Sequence, residues 1–229
     1  MTLSELLTNI DYRRRDTTQS FISDNEKTAY LNEALRKIGG ENDWEWQKTS
    51  SSVSYTDGSY QYAVSSVASD IKFPIDVFYT NSYEFENVSP EDFQRLSGGS
   101  HNMYALDGNY LWVSTDFGTA TLGLSYYSTS LAKTSGSYTL SRLSTSTDEP
   151  LLPERYQDML VEYASALCYQ KEGMPDDYQI AMQGYMRSLE RMKRDYPSRR
   201  KTRKTRMKSI NEMDTLQDVY DDKQNPLHQ

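Results

Sequence analysis

The sequence is poor in the residues that build disulfides, zinc sites and membrane spans. Of 229 residues, Cys168 is the single cysteine and only two residues are histidines. One cysteine precludes an intramolecular disulfide, and one cysteine with two histidines cannot supply a Cys/His zinc site. No apolar run approaches the roughly 20 residues needed to cross a bilayer. We therefore expect a protein that does not enter a membrane.

The first residues do not have the order of a secretory signal peptide. The basic cluster at residues 13–15 follows the apolar stretch instead of preceding it, whereas signal peptides place positive charge first. Together with the single cysteine, this predicts assembly in a cytosol.

Aliphatic residues are also scarce, but aromatic residues compensate. Leu, Ile, Val and Phe number 41, about 18% of the chain, a share that by itself is typical of disordered proteins. Nineteen Tyr and three Trp raise the bulky set to 63, and the net charge is only −8. Tyr buries its ring while its hydroxyl stays at a wet edge, which suits both cores and interfaces. We predict a polar protein that folds.

The charge is unevenly placed along the chain. Residues 187–208 carry eleven Lys and Arg against two acidic residues, a local balance of +9. The other residues carry fourteen basic against thirty-one acidic groups, a balance of −17. The net charge of −8 is therefore the sum of an acidic body and one strongly basic segment.

Four helices are predicted, two at each end of the chain. Capping boxes at Thr2/Glu5 and Ser23/Glu26 mark two helix starts, and Gly39-Gly40 is predicted to end the second. Pro153 is predicted to start a long helix at its first turn. Gly173 to Pro175 then separates it from a last helix that Pro197 closes, and whose apolar residues are spread over more than one face.

Between these helix pairs, residues 49–149 show alternation, turns and β-formers. Asp57-Gly58 and Asp107-Gly108 lie between alternating segments as hairpin signals. The predicted fold class is α+β: an α-helical bundle with an inserted antiparallel β domain and an extended C-terminal arm. The predicted domains are N-terminal helices of the bundle (1–48), the β domain (49–150), the C-terminal helix pair (151–197) and a basic and acidic arm (198–229).

No catalytic constellation emerges, so we predict a protein that is not an enzyme and needs no cofactor or metal. Ser69-x-x-Lys72, with Ser-Asp-Asn at residue 23 and Lys-Thr-Ser-Gly at residue 133, imitates the serine β-lactamase motifs, but the order along the chain is wrong. Adjacent carboxylates such as Asp176-Asp177 face apart and suit a helix N-terminus. His101 lies in a turn-like stretch without a catalytic partner.

The basic run from residue 199 to 208 admits two functions. It can neutralise nucleic-acid phosphates, or it can dock onto an acidic groove of a protein partner. The segment that follows is acidic and has apolar residues at helix-like spacing. This combination favours protein docking. The predicted docking residues are Arg199, Arg200, Lys201, Arg203, Lys204, Arg206, Ile210, Met213 and Leu216.

The order of several short motifs resembles the head-to-tail adaptor (connector, or head-completion) proteins of tailed bacteriophages. The resemblance covers roughly residues 1–196, and the order of the motifs is more specific than any one of them. The matching stretches are Asn32-Glu-Ala-Leu35, Trp44-Glu-Trp46, Tyr60-Gln-Tyr62, the segment from Phe73 to Tyr79, the hairpin from Tyr104 to Trp112, the strand ending at Tyr127, and Leu151-Leu-Pro-Glu-Arg-Tyr156.

This resemblance implies a structural virion protein that forms a ring of twelve copies between the portal and the tail. Such a ring extends the DNA channel and docks tail nozzle, tube or fibre proteins, and genomic DNA passes through it without sequence-specific binding. The basic arm would then anchor the ring to the portal protein. Tyr104, Tyr110 and Trp112 are candidate contacts to tail proteins or to a neighbouring subunit, with a role in the protein core as the alternative for each.

Two other functions stay open on the sequence. One is a nucleic-acid-binding protein that uses the 199–208 segment. The other is a tail-associated module that holds a receptor or carbohydrate on its aromatic-rich β domain. Nucleic-acid binding weakens steeply with salt, whereas a mixed apolar and ionic protein contact weakens less.

Overall fold

A computed structural model describes residues 1–15, 21–55, 61–79, 85–96, 103–114, 120–134 and 137–197. The helices are α1 (Leu3–Arg14), α2 (Asp24–Glu41), α3 (Val64–Val67), α4 (Pro90–Leu96), α5 (Asp158–Glu172) and α6 (Pro175–Asp195). The strands are β1 (Lys48–Tyr55), β2 (Gln61–Ala63), β3 (Ile71–Tyr79), β4 (Glu86–Asn87), β5 (Met103–Asp107), β6 (Tyr110–Val113), β7 (Ala120–Ser128), β8 (Ala132–Thr134), β9 (Ser137–Leu140) and β10 (Glu149–Pro150). The chain is therefore α+β, as predicted.

Both predicted capping boxes begin a helix. The Thr2 hydroxyl accepts a hydrogen bond from Glu5 N, and the Glu5 carboxylate accepts one from Thr2 N at 2.8 Å. Ser23 and Glu26 make the same reciprocal pair at the start of α2. Each box satisfies two backbone donors that a helix start would otherwise leave without partners.

The predicted end of α2 at Gly39-Gly40 is wrong, because the helix continues through both glycines to Glu41. Neither glycine has a positive φ. A Cβ at Gly39 would lie 2.5 Å from Leu131 Cδ2, whereas one at Gly40 would meet nothing within 4 Å. Gly39 therefore permits close packing of α2 against the segment around Leu131, and does not terminate the helix.

The predicted start of the third long helix at Pro153 needs a similar correction. Pro153 precedes a 3-10 turn, Glu154–Tyr156, and the α-helix begins at Asp158. The predicted break is confirmed: Gly173 ends α5 with a left-handed φ of 73°, and α6 starts at Pro175. A left-handed residue at this position costs glycine little.

Helix α5 lies at the centre of the bundle. Its buried residues point in more than one direction, including Met159, Leu160, Val161, Tyr163, Ala164, Ser165, Ala166 and Cys168. A helix that is apolar on several sides must be covered by several neighbours. α1 runs parallel to α5, since the Met1 amino group meets Gln157 and the Arg14 guanidinium meets Glu172.

The other two long helices, α2 and α6, are antiparallel to α5. Tyr163 of α5 meets Glu33 of α2 through a 2.7 Å hydrogen bond, and it meets Tyr185 of α6 edge to face, with ring centroids 5.0 Å apart. Lys171 near the end of α5 pairs with Glu26 near the start of α2. The four helices thus alternate in direction along the chain, as expected of a bundle with short connections.

The strands form three small sheets with the orders β1-β7-β3, β2-β6-β5-β4 and β10-β8-β9. The hairpin predicted at Asp107-Gly108 is confirmed: Asp107 pairs with Tyr110 across a two-residue turn in which Gly108 has a φ of 56°. Among the described strands, pairing is antiparallel except between β4 and β5, which run parallel. The hairpin predicted at Asp57-Gly58 lies outside the described residues.

Two main cores correspond to the helices and to the strands. The helical core includes residues from α1, α2, α5 and α6 together with Leu131, Ala132, Leu143 and Leu152. The strand core includes Leu111, Val113, Leu122 and Leu124. The small sheet β10-β8-β9 thus contributes Ala132 to the helical core. The four-part domain division stays a prediction. Within the described ranges, no helix is long and apolar enough to span a membrane.

A buried carboxylate organises the loop that covers the start of α1. Asp148 accepts hydrogen bonds from the amides of Ser144 and Thr145, both at 2.8 Å, and from their hydroxyls. The carbonyls of Asp148 and Ser146 in turn accept bonds from the first amides of α1, Leu3 N and Ser4 N. Burial alone would raise the pKa of Asp148, but these hydrogen bonds outweigh it and lower the pKa well below its usual value.

We predict that Gly39→Val destabilises the protein and that Gly40→Val does not. The added side chain at residue 39 must displace Leu131 in a packed core, and overpacking of this kind costs about 1–3 kcal/mol. Gly40→Val meets open space and should change the free energy of unfolding by less than about 0.5 kcal/mol. Urea denaturation measures both. Equal effects of the two substitutions would contradict the close approach of α2 to Leu131.

We also predict that Asp148→Asn lowers the free energy of unfolding at pH 7 by about 1–3 kcal/mol, since charge-assisted hydrogen bonds are lost. A lowered folded-state pKa gives stability that is complete above the unfolded pKa, about 3.9, and is lost as pH falls toward the folded pKa. The gap between wild type and variant should therefore narrow below about pH 4. Urea denaturation at pH 7, 5 and 3.5 tests this, with the exposed Glu86→Gln as control. A gap independent of pH would exclude the Asp148 charge as its cause.

Candidate assembly surfaces

The predicted docking arm lies outside the described residues. This applies to all nine of its named positions, Arg199, Arg200, Lys201, Arg203, Lys204, Arg206, Ile210, Met213 and Leu216. Their role stays a prediction from the sequence.

The three β-domain candidates lie in different environments. Tyr104 on β5 is buried in the strand core. Trp112 on β6 is partly buried and meets Phe93 edge to face, with ring centroids 6.3 Å apart. Tyr110, beside the hairpin turn, exposes 46% of its surface. Of the three, Tyr110 is the most accessible to another protein in this structure.

A groove runs between α1 and α5 on the surface of the bundle. It has a volume of about 1020 Å³, and we call it the α1–α5 groove. Tyr12 stands on its rim with 87% of its surface exposed. Its lining residues are Thr8, Asn9, Asp11, Tyr12, Arg13, Arg15, Asp158, Val161 and Glu162. An almost fully exposed aromatic ring beside a groove is typical of a surface that contacts another protein.

A second accessible surface lies on α6. Tyr178, Met182 and Met186 follow one another at four-residue spacing and therefore form one stripe. With Gln179, Gln183, Arg187 and Glu190 they line a shallow cavity of about 390 Å³, which we call the α6 face. Met186 is 49% exposed. The predicted spread of apolar residues over several faces of this helix is confirmed, because its core side is a different set, Ala181, Tyr185, Leu189 and Met192.

The α1–α5 groove and the α6 face lie on different sides of the bundle. Glu162 lines the α1–α5 groove, and a Cβ at Gly184 would lie 2.6 Å from its Oε1 atom. The side of α6 that carries Gly184 therefore faces the groove. Met182 and Met186 are each two positions from Gly184, which is roughly 200° round the helix. The α6 face therefore points away from the α1–α5 groove of its own chain.

Charge along α1, α5 and α6 follows their dipoles. α1 and α5 carry acids in the first turn, Glu5 and Asp158, and bases in the last turn. α6 carries Asp176 and Asp177 in its first turn and bases in its last. Acids at helix starts and bases at helix ends are each favoured by the dipole. Because α6 is antiparallel to α1 and α5, its acidic end is at the same end of the bundle as their basic ends.

Buried charges fix the end of the bundle where α1 turns into α2, which we call the tip. Lys27 is fully buried, and its ammonium lies 2.6 Å from Asp11 Oδ1 and 3.0 Å from Asp24 Oδ1. Burial opposes the charge on Lys27, but the hydrogen bonds to Asp11 and Asp24 outweigh it and raise the pKa. The Arg14 guanidinium pairs with Glu172 beside this cluster. This cluster was not predicted from the sequence, because a lysine at an otherwise ordinary helical position carries no signal of burial.

Lys72 connects the strands to the bundle. Its ammonium donates to Gly39 O at 2.8 Å and to Asn42 O at 3.0 Å, and lies 3.4 Å from Asp43 Oδ1. It thus binds the carbonyls at the end of α2, where positive charge is favoured. These contacts give the lysine of the Ser69-x-x-Lys72 motif a structural role.

The described part of the chain contains neither a group of metal ligands nor a reactive thiol. No group of three or more His, Cys, Asp or Glu there is placed to hold a metal ion. Cys168 is fully buried, and burial raises the pKa of its thiol to about 11. A thiol of this kind is not reactive near neutral pH. His101 lies outside the described residues.

Comparison with known proteins identifies a family. None of the curated proteins matches the chain. A family model described as SU10 adaptor protein matches residues 1–212, which include all the helices and strands given above. The chain thus belongs to the SU10 adaptor protein family, a family of phage head-to-tail adaptors.

Proposed function

We propose that this adaptor forms a ring between the portal and the tail of a phage particle, where it extends the DNA channel and docks tail components. The observation that carries the proposal is the family match over residues 1–212. Membership of an adaptor family implies a structural component of the virion, with portal and tail proteins as its partners. The ring, its twelve copies and the passage of DNA belong to the proposal.

Two accessible surfaces on different sides of the bundle support ring formation. A ring needs heterologous contacts, in which one surface of a subunit meets a different surface of the next. The α1–α5 groove and the α6 face offer two different surfaces for such contacts, and Tyr12 and Met186 expose apolar surface on them. A self-complementary dimer would need only one such surface.

The acidic body supports the proposed passage of DNA. Outside residues 187–208 the charge balance is −17. A negatively charged channel repels phosphates, which keeps DNA from binding tightly as it moves. In this proposal the ring has no sequence-specific contact with the genome and carries out no catalysis.

The basic arm supports portal docking. Six Lys and Arg between residues 199 and 206 provide charge for long-range attraction to an acidic partner and for pairing with its carboxylates. Ile210, Met213 and Leu216 follow at a spacing that puts apolar side chains on one side of a helix. Charge would thus guide the arm to the portal, and apolar contacts would strengthen the complex.

We predict that light scattering of the full chain mixed with the portal protein encoded beside it shows a stable complex of several adaptor copies. Deletion of residues 198–229 should abolish the complex, because the arm is its anchor. A second variant changes the six basic residues at 199, 200, 201, 203, 204 and 206 to Gln and keeps the apolar ones. It should bind more weakly and lose most of the salt dependence of binding.

Three outcomes separate the alternatives. A complex that survives the deletion would retain the adaptor function and exclude the arm as its anchor. A chain that ignores the portal but shifts labelled DNA at low salt would favour the nucleic-acid-binding alternative instead. Protection of the fold by soluble glycans, without portal binding, would favour the receptor-binding module.

A further inference from the structure

We propose that the α6 face of one copy packs into the α1–α5 groove of the next copy, and that pairing of Arg187 with Asp158 across this contact sets the register. The partner is therefore a second copy of this chain. This inference rests on the proposed ring and adds the two surfaces that build it.

The positions of the apolar residues along the bundle support this pairing. Tyr163 of α5 meets Tyr185 of α6, and the Tyr169 hydroxyl donates to Arg13 O of α1 at 3.2 Å. The first contact fixes the height of α6 relative to α5, and the second fixes the height of α1 relative to α5. At a rise of about 1.5 Å per residue, Tyr12 and Met182 then lie within about one helical turn of each other along the bundle axis. In a ring whose axis is parallel to the bundle, rotation from one copy to the next does not change the height of a residue along that axis. Tyr12 of one copy can therefore lie beside the Met182 and Met186 stripe of its neighbour.

One pair of charges matches in the same arrangement. Near the tip, Arg13 of the groove is held by Glu162 of its own chain at 3.4 Å. Toward the other end, the groove carries Asp158, and Arg187 lies on the α6 face. Within the described residues, neither the Asp158 carboxylate nor the Arg187 guanidinium has a hydrogen-bond or ion-pair partner. A neighbouring copy can therefore pair them without breaking a contact inside the subunit.

The positions of these charges disfavour other pairings. Two copies related by a two-fold axis with α6 against α6 would bring the Met stripes together without the charge match to the groove. Shifting α6 along the groove by about two turns would put Arg187 beside Arg13. Like charges in contact at an interface are costly, so the charges select one register from the arrangements that the apolar residues allow.

Thiol cross-linking tests which surfaces meet. The full-length variant Tyr12→Cys/Met186→Cys, assembled with the portal and treated with a bismaleimide, should give a ladder of covalent adaptor multimers. Each single variant should give at most dimers. Cys168 should not react, because it is fully buried and its thiol has a pKa of about 11. The matched control Glu86→Cys/Met186→Cys pairs the α6 face with an exposed position on β4 outside both surfaces and should give no ladder.

Charge exchange tests the register. Arg187→Glu should raise the concentration needed for half-assembly about tenfold, a typical effect of a mispaired interface charge. Adding Asp158→Lys to that variant should restore most of the loss. Arg142→Glu makes the same change in net charge outside both surfaces and should have little effect. Failure of Asp158→Lys to compensate would exclude the proposed register.

The mass of the unmodified wild-type assembly separates failure of this inference from failure of the proposed function. A multimeric complex with the portal, combined with no ladder from Tyr12→Cys/Met186→Cys, would retain the ring and overturn the paired surfaces. Cross-links from Met186 to the portal would overturn them as well. Absence of any multimer from the wild type would overturn the proposed function itself.

Discussion

Burial of α5 on several sides is the constraint on which the rest of the structure depends. Tyr163 illustrates it, since this one side chain contacts Glu33 of α2, Lys37 of α2 and Tyr185 of α6. Such a helix cannot be stable alone in water, because its apolar sides need covers. The chain supplies α1, α2 and α6, and the segment around Leu131 adds a further contact from the strand side.

The outer helices differ in how much of their apolar surface the core uses. α1 buries Leu3, Leu6 and Ile10 and leaves Tyr12 exposed. α6 buries a similar set and still exposes Met186 on another side, next to the half-buried Met182. The apolar residues that the core does not need are thus placed on two separate surfaces. This arrangement fits the proposed ring of identical copies.

Local signals in the sequence predicted local structure well. The capping boxes at Thr2 and Ser23, the break at Gly173 and the Asp107-Gly108 hairpin depend on neighbouring residues, so a single sequence shows them. The failures depend on distant contacts. Gly39 resembles a helix terminator, but its role depends on Leu131, some ninety positions later. Burial of Lys27 depends on Asp11 in another helix, and the parallel pairing of β4 with β5 depends on how the chain returns to the sheet.

The assembly surfaces were predictable only in part. Excess apolar residues on α6 can be recognised from their spacing, and Tyr12 lies off the Leu3, Leu6 and Ile10 side of α1. The partner of each surface cannot be read from spacing, because it requires the relative direction and level of α1, α5 and α6. Those follow from contacts such as Tyr163 with Tyr185, which only the folded chain provides.

Cryo-electron microscopy of the full chain bound to its portal can show directly which surfaces of neighbouring copies meet. We expect a closed ring in which α6 of each copy lies against α1 and α5 of the next, with Arg187 near Asp158 of the neighbour. A ring in which the α6 face is exposed to solvent or to the channel would exclude the proposed contact, and a single adaptor copy on the portal would exclude the ring.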